Sequence, residues 1–467
     1  MAEKTAAELL KEKLCMTKKN AYETMSKEEL KACYDYCEDY KKFLDECKTE
    51  RESVEYAVKF LEERGFTAFE YGKEYKTGDK FYLNNRGKAI YIVVMGQKPL
   101  EEGIRIAAAH VDSPRIDLKQ NPLYEDGGFA FFKTHYYGGI KKYQWVTIPL
   151  AIHGVIVKAD GEKVNVCIGE DDNDPVFYIT DLLPHLGRDQ AGKPLGQAFG
   201  GEQLNILCGS RPFDDEKVKD IKLNILNILN EKYGIVEADF LSSELCVVPS
   251  IKARDLGFDR SLIAAYGHDD RVCAYPILTA CADTCAEAPL HTTVTIFADK
   301  EETGSDGNTG MQSFAFEDML KEMCINAKQN ARKMFSNSTC LSADVNACFD
   351  PNFGEVYESR NCAFINKGVC VTKFTGSGGK GSTNDAHAEF VGEIRKLFDE
   401  NGVVWQTGEL GKVDQGGGGT VAKYISKLNA DVIDVGVPVI SMHAPCEVVS
   451  KTDIWAAYKA FVAFFKN

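Results

Sequence analysis

Five short segments carry side chains able to bind metal or move protons. Asp299-Lys300-Glu301-Glu302-Thr303-Gly304-Ser305 places two carboxylates side by side after the apolar run Thr292 to Ala298. A strand rarely ends on adjacent anions without a cation to receive them, because unpaired charge is costly to desolvate. No Lys/Arg-rich segment serves that role, although Lys300 is adjacent. Other ligand types stand at similar places. His110-Val111-Asp112 follows Ile104 to Ala109, and His268-Asp269-Asp270 precedes Arg271. Asp344 follows Cys340 to Ala343, and His443 follows Val437 to Met442. Hard carboxylates mixed with imidazoles suit zinc, manganese or cobalt. Two carboxylates at one locus can divide the labour, one binding metal and the other handling protons.

Each segment alone has an ordinary alternative. His110 can be a structural histidine. Its spacing to Asp112 also lets that carboxylate hold the second ring nitrogen. Asp269-Asp270 reads as a helix N-cap or as a carboxylate bridging two metals. Gly376-Ser377-Gly378-Gly379-Lys380-Gly381-Ser382-Thr383 lies between a predicted strand and a predicted helix, as a phosphate-binding loop would. Gly376 and Gly381 have the required spacing, but Ser382 occupies the lysine position, which argues against a nucleotide site.

The elements that must position these groups alternate. Residues 5–65 read as helices, with apolar residues at three- and four-residue steps. Short strands are predicted at Lys80 to Leu83, Ala89 to Val94 and Ile104 to His110. From about 116 the character changes to short β-like runs, aromatic clusters and glycine turns. Beyond Arg254 the alternation resumes. Helices are predicted at Arg271 to Ala286, Gln312 to Met334, Asp385 to Asn401 and Thr452 to Phe465, and strands at Thr292 to Ala298, Val369 to Phe374 and Val432 to Asp434. The pattern predicts an α/β domain, residues 1–115 and 254–467, interrupted by a β-rich insertion at 116–253. Functional groups of such sheets collect beyond the carboxyl ends of the strands, where all five segments are expected.

The chain has 467 residues, enough for two or three domains. A net charge of −15 argues against nucleic acid as a partner. No apolar run is long enough to span a membrane. The N-terminal stretch lacks the apolar core of a signal peptide, and the 16 cysteines are scattered, which suits reduced thiols and a cytoplasmic protein.

Taken together, AHVDSP (109–114), HDDR (268–271), DKEETGS (299–305), SADVNACFDPNF (342–353), GSGGKGSTN (376–384), QGGGGT (415–420) and SMHAP (441–445) resemble the M18 family of metalloaminopeptidases, the aspartyl aminopeptidase family. The resemblance implies a zinc-peptidase-like catalytic domain with a mixed sheet, an inserted dimerisation domain, peptide substrates and a homo-oligomer built from dimers into a dodecamer. It implies two divalent metals per subunit, zinc first, with cobalt or manganese as alternatives. By position, His110 and Asp344 would bind one metal, Glu302 and His443 the other, and Asp269 both. Glu301 would be the general base and Asp112 would orient His110. Lys380 would lie near the substrate, and His185 would reach a neighbouring subunit's site. Two departures bear on substrate preference and subunit contacts. The Asp-Arg pair common after the insertion's tryptophan is absent beyond Trp145, and Asp350 stands where a histidine is common. A carboxypeptidase or deacylase on a similar fold, or a shell-like scaffold, are the competing readings. The preferred N-terminal residue is not legible.

Overall fold

Apolar runs too short for helices become the strands of a nine-stranded sheet in the computed structural model, which describes residues 4–16 and 19–467. Across the sheet the strands are Thr67–Ala68, Lys80–Asn85, Ala89–Val94, Thr293–Ala298, Arg105–His110, Thr339–Ser342, Asp431–Gly436, Val369–Thr372 and Trp405–Thr407. The four from Thr293–Ala298 to Asp431–Gly436 run parallel, and antiparallel neighbours flank them. Those central strands are buried along nearly their whole length, which explains their largely apolar sequence. Helices Lys27–Glu46, Glu50–Glu62, His268–Thr284, Ala388–Glu400 and Lys451–Lys466 share one core around Tyr40, Ile277 and Phe461. Helices Ala315–Asn326, Ala331–Ser336 and Ala422–Ser426 share a second, around Met319, Met334 and Ile425.

A six-stranded antiparallel sheet is built from the β-rich stretch, in the order Lys163–Ile168, Leu150–Val157, Ser243–Pro249, Arg115–Asp126, Phe129–Tyr137 and Ile206–Gly209. It has its own core around Trp145, Ile152 and Val247. A closed polar cluster ties this sheet to the helix Glu50–Glu62. His153 Nδ1 lies 2.7 Å from Glu52, and its Nε2 lies 3.0 Å from Glu170. Lys48 Nζ and Lys252 Nζ donate to the same Glu170 at 2.7 and 3.0 Å.

Three differences from the sequence expectation have local causes. The expected helix Gln312 to Met334 is two helices, because Lys328 turns the chain at a φ of 55° and the Asn330 side chain caps the second at Arg332 N. The β-rich stretch also holds helices, the longest of them Ile221–Tyr233, capped by Asp220 and closed by Gly234 in a left-handed conformation. A third, five-stranded sheet joins distant segments: Arg254–Leu256, Leu262–Ala265, Glu447–Ser450, Pro438–Ile440 and Asn346–Ala347. Among the described residues no helix is long and apolar enough to cross a membrane.

Candidate active site

The reactive side chains stand where strands stop. His110 closes the central strand Arg105–His110. On one side, Asp344 follows Thr339–Ser342 by two residues; on the other, the chain turns at Lys300 into the short 3-10 turn Glu301–Thr303. The remaining two segments come from the five-stranded sheet, a departure from the single-sheet expectation. Asp269 follows Leu262–Ala265, and His443 follows Pro438–Ile440.

These five segments converge. His110 Nε2 lies 3.1 Å from Asp269 Oδ1 and 3.8 Å from Asp344 Oδ1. His443 Nε2 lies 3.3 Å from Asp269 Oδ2 and 3.5 Å from Glu302 Oε1. The ligating atoms of His110, Asp269 and Glu302 all fall within 4.8 Å of one another, as do those of His110, Glu301 and Asp344. Asp269 thus faces both imidazoles, one with each oxygen.

The second ring nitrogens decide what this cluster can hold. His110 Nδ1 lies 2.9 Å from the Asp112 carbonyl, and His443 Nδ1 lies 2.9 Å from the Gly139 carbonyl. A carbonyl only accepts, so each Nδ1 must carry its hydrogen. In the neutral rings both Nε2 lone pairs then point at carboxylate oxygens. Acceptor facing acceptor is unfavourable unless a proton or a metal cation lies between. Asp269 Oδ1 and Glu302 Oε1 are also buried without a hydrogen-bond donor. The imidazole–carboxylate donor set therefore fits divalent metal.

Titration follows from the same crowding. Burial pushes Glu301 up to about 8, with the Asp344 charge adding to it. Burial and Asp269 hold Glu302 well above the usual carboxylate range. Burial opposes charging of His443, but Asp269 and Glu302 outweigh it and push the ring up to about 10. Burial likewise opposes charging of His110, yet Asp112, Asp269 and Asp344 hold it well above its ordinary value. The cluster without metal is one that stores protons.

Asp112 organises the floor. Its Oδ1 accepts the Glu301 N–H at 3.1 Å, and its Oδ2 accepts the Glu302 N–H at 3.2 Å. The Tyr137 hydroxyl donates to Oδ2 at 2.7 Å. Tyr137 and Gly139 belong to the chain leaving the six-stranded sheet, so that sheet supplies partners to both a carboxylate and an imidazole of the cluster.

A cavity of about 370 Å³ opens over the cluster. Its walls include Val345, Asn346, Thr375, Leu410, Met442 and the glycines Gly417 to Gly419. Two glycine-rich loops interlock here. Gly417 sits at a φ of 110°, and a Cβ on it would lie 2.0 Å from the Gly376 carbonyl oxygen. Asp434 fastens the loop from beneath, accepting from Thr420 at 2.7 Å and from Ser342 at 3.0 Å.

Two expected residues lie elsewhere. Lys380 is outside the cavity wall; it donates to Asp385 at 2.9 Å and covers the Phe374 ring. The lysine on the wall is Lys423. His185 is exposed on the β-rich stretch, amid exposed Leu182, Leu183, Leu186 and Leu195. Sequence reading missed Tyr137, Gly139, Thr420 and Glu447. The buried Glu447 accepts the Asp269 N–H and the His443 N–H. A lone acid opening the apolar strand Glu447–Ser450, four residues after His443, was the available signal.

Comparison with known proteins agrees with this chemistry. The family model "Aminopeptidase I zinc metalloprotease (M18)" matches residues 43–465. A probable M18 family aminopeptidase 1 from Clostridium acetobutylicum is 50% identical over 458 residues, covering 96% of this chain and 98% of that one. Its namesake from Thermotoga maritima is 44% identical, covering 96% and 98%. The crystal structure of an M18 aminopeptidase from Thermotoga maritima superposes with a TM-score of 0.91 at 42% identity, over 97% of this chain and 99% of that one. That of aminopeptidase I from Clostridium acetobutylicum gives 0.90 at 45%, over 97% and 100%.

Proposed function

The chain belongs to the M18 family of aminopeptidases, which are zinc metallopeptidases, and on that footing we propose that it removes N-terminal residues from peptides with two metals per subunit. The observation carrying this reading is the pair of imidazoles whose Nδ1 atoms are committed to carbonyls while both Nε2 atoms face Asp269. His110 and Asp344 would hold one metal, Glu302 and His443 the other, and Asp269 would serve both. Zinc is the metal the family description carries, with cobalt and manganese compatible with the same donors. Bound metals supply Lewis-acid activation of the water and of the scissile carbonyl. Glu301 takes the proton of the attacking water and returns it to the leaving amine, as a general base beside the ligand Glu302 would. Asp112 keeps His110 in the tautomer that presents Nε2 and fixes the backbone of Glu301 and Glu302.

Residues 1–115 and 254–467 form the catalytic unit, and 116–253 the dimerisation insertion. The exposed leucines around His185 support contact with a second copy there. His185 then serves the partner's site. The yeast mApe1 dodecamer shares the fold at a TM-score of 0.75 and 20% identity, which supports assembly of dimers into a dodecamer. Among the described residues no cysteine is joined in a disulfide, which supports a reducing, cytoplasmic setting.

The test is a peptide carrying distinguishable residues at both ends. Release of the N-terminal residue, abolished by chelator and restored by zinc, is expected. Release of the C-terminal residue supports a carboxypeptidase instead, and no release at all supports the scaffold reading. A panel of aminoacyl-arylamides then ranks the preferred first residue.

A further inference from the structure

Asp269 and His443 lie on loops that leave one small sheet at different points, yet they must stay in register to within a few tenths of an ångström to share metal. Neither loop is regular there. His443 has a φ of 64°, and Asp269 and Asp270 depart from helical geometry at the start of their helix. Their backbone N–H groups therefore have no ladder partner. Glu447 receives both. Its Oε2 accepts the Asp269 N–H at 3.0 Å, and its Oε1 accepts the His443 N–H at 2.7 Å. Glu447 is 1% exposed, and among the described residues no lysine, arginine or histidine forms an ion pair with it. It is anchored in turn by its strand, where it pairs with Ala265, the last residue before the Asp269 loop.

A buried carboxylate without a cation is an expensive way to satisfy two N–H groups, since neutral carbonyls do so elsewhere. What the carboxylate adds is a single rigid fork whose two prongs fix the two loops at a set spacing. We propose that Glu447 is a positioning residue for the metal centre, clamping the backbone of the bridging ligand Asp269 and of His443 so that their side chains converge. This rests on the reading of those two residues as metal ligands. Glu447 itself touches neither substrate nor the reacting atoms.

The experiment measures zinc affinity by chelator competition on the full-length wild-type protein and on Glu447→Gln, Glu447→Asp and Asp269→Ala. In Glu447→Gln an amide –NH2 faces one of the two N–H groups, donor against donor, and the clamp opens on one side. Glu447→Asp is one methylene shorter and reaches only one N–H well. Partners of this kind typically change metal affinity by about 10- to 100-fold. Zinc affinity should fall by that factor in Glu447→Gln and by less in Glu447→Asp. The d–d absorption band of the cobalt-substituted protein should shift in both. A purely structural role lowers Tm and leaves affinity and spectrum alone; that result overturns the proposal. If Glu447→Gln does not fold, Glu447→Asp decides by the same two readings. Asp269→Ala separates the premises: wild-type zinc affinity there overturns the ligand assignment, whatever Glu447 does.

Discussion

Two buried polar clusters in this molecule contain the same residue types and behave in opposite ways. At the seam with the six-stranded sheet, His153 has a carboxylate on each ring nitrogen, and Glu170 also receives Lys48 and Lys252. Protonated, as Glu52 and Glu170 hold it, His153 donates from both nitrogens, and the cluster is complete within the chain. At the strand ends, the Nε2 atoms of His110 and His443 face Asp269, where a proton or a metal must stand between ring and carboxylate, while buried oxygens of Asp269 and Glu302 have no other donor. The first cluster is finished by the chain itself, and the second needs something from outside it. Histidine next to carboxylate is therefore not the signature of a metal site. The signature is the direction in which the second nitrogen is satisfied.

Removing Asp269 should break the incomplete cluster most severely. Asp269→Ala is expected to lose both metals together, read by elemental analysis, with activity falling to background. Retention of one full equivalent would end its bridging role. Glu301→Gln is next: turnover should drop by about 10² to 10⁴-fold, the usual contribution of a general base, while zinc content and Tm hold. Near-normal turnover would remove Glu301 from the chemistry. His185→Ala should cost about 2.7 to 4 kcal/mol of transition-state stabilisation if its imidazole stabilises charge in the partner's site. Co-expressed with Glu301→Gln, it should recover activity in mixed dimers; verified mixed dimers that stay inactive would confine His185 to its own subunit. Tyr137→Phe deletes one of three donors to Asp112 and should lower turnover by about tenfold, the size of one hydrogen bond. An unchanged rate would show that the two N–H groups suffice.

The complete cluster sets the smallest effect. His153→Gln should leave turnover per folded molecule unchanged and lower stability by about 1 to 3 kcal/mol. Burial opposes charge on His153, but Cys167, Glu170 and Glu52 push it up to about 11. A folded value above the ordinary ~6.5 means that its stabilisation is complete below that pH and is lost as pH climbs toward 11. Glu170 is held down to about 2 by His153 and Lys48 against the effect of burial, so its share is complete above ~4.5 and lost as pH falls toward 2. The Tm gap between wild type and His153→Gln should narrow between pH 7 and 11. A constant gap would mean that the histidine is neutral in the folded protein.

The residues of the cluster were legible because polar groups interrupt apolar strands: His110 after four buried residues, Asp344 after a buried run. The alternation of strands and helices was legible for the same reason of periodicity. What escaped has little or no local signature. Gly139 acts through its carbonyl, which any residue possesses. Glu447 shows only as a lone acid opening an apolar strand, and its role emerges with the two N–H groups facing it. His153 meets Glu52 across 101 positions of sequence. The small sheet that presents Asp269 and His443 joins segments from 254 to 450, each too short to announce itself. The break in the helix after Asn326 depended on Asn330, whose cap competes with continuation.

The interlocked glycine loops carry a practical consequence. Where Gly417 meets Gly376, the wall of the cavity over the cluster is main chain on main chain, with no side chain to trim or extend. Its width on that side is set by peptide geometry, as the bore of a pipe is set by its casting. Redesign of which residue the enzyme accepts must work through cavity side chains such as Val345 and Met442, where atoms can be added or removed without forcing two backbones apart.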